Sequence, residues 1–254
     1  MQEEQLKLIK RINKNIVHDD GTIDSFDKQL IQLMSGIFDT RYPLVVSANT
    51  NVLKYIQNIS TENPLTMNAS TVIKLREKHD IGYEFVSNCE KYLKESVLAF
   101  DSIQHDSSKV VLLEEKDDDG FPMIAICREG KQIGRELVVN EITSIYEKEK
   151  LEKLIERSFA MNKHFYKNKK TEQYVRSMGL QLSEGVTYAL SNAYDRQTFT
   201  KCQVESDREA KKIVEKNIKK KSLIERKQEA KKIGQTIRTT QGKVKSKNKD
   251  TRTL

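Results

Sequence analysis

Apolar residues at Leu6, Ile9, Ile12, Ile16 and Val17 recur at helical spacing and predict an amphipathic helix over 3–17. His18-Asp19-Asp20-Gly21-Thr22 breaks it. A second helix starts with Asp24 or Ser25 as its cap and carries Leu30, Ile31, Leu33, Met34, Ile37 and Phe38. Leu44-Val45-Val46 is a short extended run, and Asn49-Thr50-Asn51 caps a turn or two of helix reaching Ile56. Asn63-Pro64 turns the chain into Leu65-Thr66-Met67. Ala69 or Ser70 then opens a helix through Lys78 with His79 at its C-terminal end, and 84–95 are helical again.

The pattern changes at Ser108. Val110-Val111-Leu112-Leu113 begins a strand, and Asp117-Asp118-Asp119-Gly120 supplies the Asp-Gly step of a hairpin whose return strand is 121–127. A second turn around Glu129-Gly130-Lys131 leads to a third strand over 136–146. A helix follows at 148–161, a short fourth strand at His164-Phe165-Tyr166, and a helix from Lys170 to Met178 that ends at Gly179. The fold class predicted is α+β: N-terminal helices, then a small antiparallel sheet with helices packed on one side, then a basic C-terminal helix.

Charge changes the picture of the last fifth of the chain. The formal net charge is +8, yet 201–254 hold 18 Lys and Arg against 7 Asp and Glu, leaving 27 basic and 30 acidic side chains in 1–200. The basicity therefore belongs to the tail. From Asp207 to Ile233 there is no Pro or Gly, which predicts a solvated helix, and Gly234 onward is polar enough to stay disordered. The organisation expected is N-terminal helices in 1–40, an α+β domain in 41–200 and a basic tail in 201–254.

Several function classes lose ground on the residues alone. Glycine never falls in a GxGxxG or GxxxxGK spacing, and none of the four histidines has a partner at metal-ligand spacing, so no cofactor and no metal are expected. Cys89, Cys127 and Cys202 are scattered and read as reduced thiols. The run of three aspartates lacks the spaced ligands of a calcium loop and reads as a turn. No stretch has the length of a membrane span and the N-terminus lacks a signal-peptide pattern, which predicts a cytoplasmic protein without membrane contact.

The ordered set Pro43 to Val46, Asn63 to Val72, Glu77 to Ile81, Lys109 to Leu113, Asp119 to Ile126, Val139 to Tyr146, Phe165 to Lys170 and Gly179 to Leu182 resembles the C-terminal domain of phage MuF-type minor head proteins and of large polyvalent proteins of mobile elements. That domain is placed in the barnase–EndoU–colicin–RelE-like ribonuclease class. The resemblance implies helices followed by a four-stranded antiparallel sheet presenting an active site, a cytoplasmic or virion-associated location, and RNA cleavage without metal. Such chemistry needs a base for the 2′-hydroxyl, a cation or fixed donor for the phosphorane charge, and an acid for the leaving oxygen.

On the matched positions, the implied catalytic residues are His79, Ser144, Tyr146 and Gln181, and the implied substrate-binding residues are Tyr166, Lys169, Lys170 and Arg176. His79 ends a helix, where the dipole suits an acid–base imidazole; a helix cap is the bland alternative. Ser144 and Tyr146 share a strand face by the period of two, and Gln181 alternates with Leu180 and Leu182 as on a strand. His164 stands where the family has an aliphatic residue. The leading expectation is an RNase-like domain of a mobile element, with RNA held partly by the tail. Its alternatives are a non-catalytic nucleic-acid-binding or assembly protein with a host or phage protein partner, and an antagonist of a host defence system.

Overall fold

The computed structural model describes residues 3–192, 198–200, 204–206, 208–209 and 212–213. Helix α1 (Glu3–Ile12) has Glu3 and Glu4 in its first turn and Lys10 and Arg11 in its last, each sign opposing the macrodipole, and buries Ile9 and Ile12. It stops at Ile12 rather than Val17, because the Asn13 side chain accepts from the Asn15 amide and starts a separate 3-10 turn at Lys14–Ile16. In α2 (Phe26–Met34) the Ser25 hydroxyl caps the Lys28 amide, so of the two expected caps, Asp24 and Ser25, it is Ser25 that serves.

The strands are β1 (Leu44–Ser47), β2 (Leu65–Met67), β3 (Leu98–Asp101), β4 (Ser108–Lys116), β5 (Pro122–Ile133), β6 (Leu137–Glu147), β7 (Phe165–Lys167) and β8 (Thr198–Phe199). Between them lie α3 (Ala69–His79), α4 (Tyr83–Ser87), α5 (Cys89–Lys94), α6 (Leu151–Ala160), α7 (Thr171–Ser177) and α8 (Glu184–Asn192). They form one mixed sheet of order β1-β2-β6-β5-β4-β3-β7-β8. Every junction is antiparallel except β2 with β6, two strands separated in sequence by three helices and by β3, β4 and β5.

The α+β class is as predicted, but among the described residues the sheet has eight strands instead of four and helices cover both of its faces. Alternate residues of β4 explain this: Val111 and Leu113 join Ile9, Leu30 and Leu75 of the N-terminal helices, while Val110 and Leu112 join Leu151, Ile155, Tyr174 and Val186 of α6, α7 and α8. With apolar residues pointing both ways, one helical layer would leave the other face wet. At the β1 edge the buried Gln29 amide accepts from the Val45 N–H and donates to the Val45 carbonyl, doing the work of a neighbouring strand there.

Two turns fall differently. Asp117 to Gly120 makes the hairpin bend, with Gly120 at φ 84° and the Phe121 amide held by the Asp117 carboxylate at 2.6 Å. The expected turn at Glu129-Gly130-Lys131 is a bulge inside β5. Arg128 pairs Glu141 and Lys131 pairs Val139, so two residues oppose Asn140 alone, and the Gly130 N–H at φ 61° bonds the Asn140 side chain. The chain turns at 134–136 instead. Gln181 is also displaced from the reading, since 180–183 connect α7 to α8 and form no strand.

The chain divides into two compact units, Met1–Val204 and Glu205–Leu254. In the second, Glu205, Ser206, Arg208, Glu209, Lys212 and Ile213 are described and are helical. Cys202 and the rest of the predicted tail helix and basic end lie outside the described residues. No described helix is long and apolar enough to cross a membrane.

Candidate active site

Helix α3 begins where the Asn68 side chain donates to Glu141 of β6 and runs toward the C-terminal end of that strand, bringing His79 to Tyr146 at its outer edge. Pairing with β2 ends at Ile142, so 143–147 have no strand beside them on that edge among the described residues. There the His79 and Tyr146 rings stack, with centroids 5.6 Å apart and planes 25° from parallel. Glu147 Oε2 lies 3.9 Å from His79 Nδ1, an ion-pair distance too long for a hydrogen bond. Asp80, not His79, takes the left-handed cap of α3, at φ 49°, with its amide donating to the Leu75 carbonyl. The imidazole is thus free of a capping role and its side chain is 21% exposed.

Ser144 and Tyr146 stay on one face of β6, opposite Ile126 and Ile124 of β5. Thr143 is the unpaired residue between the Cys127–Ile142 and Ile126–Ser144 pairs, and its hydroxyl donates to the Ile126 carbonyl. Burial, and then the Glu147 charge, hold the Tyr146 phenol above its ordinary value, so it stays a protonated donor at neutral pH. An imidazole, a phenol and a carboxylate therefore meet at one edge.

The other residues singled out from the sequence go elsewhere. Lys169 and Lys170 follow β7 and line a separate cleft. Strands β6 and β7 stand four places apart in the sheet, about 19 Å at ordinary strand spacing. Arg176 pairs with Glu172 at 2.5 Å and shares a small crevice with Gln181 between α7 and α8.

Tyr166 is buried in the core at 1% exposure. Its hydroxyl donates to Asp101 at 3.3 Å and accepts from Asn58 at 3.1 Å, and burial with the Asp101 charge pushes its phenol far up.

A polar cluster that sequence reasoning missed surrounds it. Lys109, with a side chain 3% exposed, donates to Asp101 at 2.8 Å, lies 3.6 Å from Glu129 and sits 5.6 Å from the Tyr166 ring centroid. His164 Nδ1 is 3.1 Å from the second Asp101 oxygen. Burial raises the Glu129 carboxyl, against the pull of Lys109. The signal was available: Lys109 is in phase with Val111 and Leu113, and a charge at a core-facing position needs a buried partner. Among the described residues, no three His, Cys, Asp or Glu side chains gather as a metal site.

Residues 71–173 match the phage MuF C-terminal domain. That is two fifths of the chain, from the first turns of α3 to the start of α7. The MuF-like stretch contains His79, Ser144, Tyr146, Tyr166, Lys169 and Lys170 and stops short of Arg176 and Gln181. It supports the phage resemblance over a narrower range than 44–182. No curated protein and no solved structure matches the chain.

Proposed function

We propose that this is a phage-derived protein whose MuF-like body cleaves RNA by attack of the 2′-hydroxyl at the edge of β6. The observation that supports the reading is the stack of His79 on Tyr146, two residues 67 positions apart that fall within the matched stretch. His79 takes the 2′-hydroxyl proton as the 2′-oxygen forms its bond to phosphorus. The bond from phosphorus to the 5′-oxygen breaks, and that oxygen takes a proton from the Tyr146 hydroxyl, which the imidazolium then restores. Ser144, on the same strand face, donates to a phosphate oxygen. The products are a 2′,3′-cyclic phosphate and a 5′-hydroxyl.

A second reading, a non-catalytic nucleic-acid-binding or assembly protein, is favoured by the place of Lys169 and Lys170. Four strands away, they supply no cation to a phosphorane beside His79. Incubation of the chain with total tRNA in EDTA separates the two. Cyclic-phosphate ends are expected from the first. Intact tRNA, or cleavage that needs added magnesium, would overturn it.

A further inference from the structure

Three stretches far apart in sequence bring lysines to one cleft of about 930 Å³. Lys54 comes from the turn after Asn51–Leu53, Lys91 and Lys94 from α5, and Lys169 and Lys170 from the link between β7 and α7. Two carboxylates, Glu90 and Glu95, line it with them. Lys170 is paired with Glu114 at 2.5 Å, and among the described residues the other four lysines form no ion pair. This concentration stands on a body whose first 200 residues are net acidic. Like charges gathered by a rigid scaffold repel one another, and the cleft walls focus their field; an anion entering the recess relieves both.

We propose that this cleft binds the phosphodiester backbone of single-stranded nucleic acid, at a site distinct from His79 and whether or not His79 cuts RNA. A recess walled by a helix and two loops suits a strand that can bend into it. A duplex carries its phosphates on rigid rails that meet such a recess only at its rim. Lysine supplies compact, rotatable donors without base selectivity, so the binding is sequence-tolerant and salt-sensitive.

The test uses the full chain and a single-stranded oligodeoxythymidylate of about 12 nucleotides, within the length range such sites cover. The probe has no 2′-hydroxyl, so binding is read without cleavage and failure of the cleavage reading leaves the result intact. Fluorescence anisotropy from about 50 to 200 mM salt should give a linear fall of log K with log salt. In the triple variant Lys91→Glu, Lys94→Glu, Lys169→Glu the slope should shrink by about 2, at roughly 0.7 per lost phosphate contact. The three neutral Lys→Gln changes should act in the same direction and less strongly. The far-UV signal and melting temperature should stay unchanged, since these side chains are exposed. An unchanged slope would assign the contact to the basic tail and overturn the proposal. Equal or tighter binding of the matched duplex, or no binding of the single strand by the unaltered chain, would overturn it as well.

Discussion

The imidazole of His79 lies on the ring of Tyr146, with centroids 5.6 Å apart, where β6 runs past the end of β2. The contact joins the last residue of α3 to a strand residue on the far side of three intervening strands in sequence, β3 to β5. Neither residue is needed to cap α3, because Asp80 does that.

A catalytic imidazole and a structural one then respond differently to removal. In His79→Ala, turnover of RNA should fall by roughly 10²–10⁴, with the melting temperature little changed. Tyr146→Phe keeps the stack and removes the hydroxyl, so it should lower turnover while preserving stability. Single-turnover rates beside thermal melts read both. A loss of stability in His79→Ala with undiminished activity per folded molecule would make the stack a packing contact.

Asp80 offers a test of the local backbone. A non-glycine residue at φ 49° bears a steric cost that glycine avoids. Asp80→Gly should therefore stabilise the fold by up to about 1 kcal/mol, seen as a rise of about 2–4 °C in Tm for a body of this size. A fall in Tm would show that the aspartate side chain contributes more than the backbone gains.

Glu129 provides a pH test. Burial raises its carboxyl above the ordinary glutamate value of 4.5, Lys109 pulls it down, and Asp101 adds to the rise. An acid whose folded value is raised contributes stability that is full below 4.5 and lost as pH rises through the raised value. Glu129→Gln cannot ionise and escapes that loss. Its Tm relative to the unaltered chain should be higher at pH 7 than at pH 4, measured by thermal melts in matched salt. A gap that is constant across this range, or larger at pH 4, would show that attraction to Lys109 outweighs burial.

Lys109 shows how strongly that cluster depends on all its members. Its ammonium is the cation shared by Asp101 and Glu129. Lys109→Ala leaves both carboxylates partly buried without it and should cost about 3 kcal/mol, checked by denaturant unfolding. Lys109→Met fills more of the volume, so a comparable loss there would confirm charge rather than cavity as the cause.

Local chemistry was legible wherever a residue acts on its near neighbours. The Ser25 cap, the hairpin at Asp117 to Gly120, the end of α3 at His79 and the shared face of Ser144 and Tyr146 all follow from spacing of a few residues, because capping, turning and alternation are short-range effects. Strands β2 and β3 were not legible. Leu65-Thr66-Met67 and Leu98-Ala99-Phe100-Asp101 are too short to display a period, and it is their partners in β6, β4 and β7 that make them strands. Gly130 looked like a turn because a left-handed glycine serves a bulge equally well, and the choice rests on Asn140, ten residues away. Only the tertiary structure decided that Tyr166 is core, that Lys109 meets Asp101 and Glu129, and that the eight singled-out residues divide among the β6 edge, the lysine cleft, the core and the α7–α8 crevice. Strand order governs those distances, and it is set by long-range pairing and by burial of both sheet faces, which no local spacing encodes.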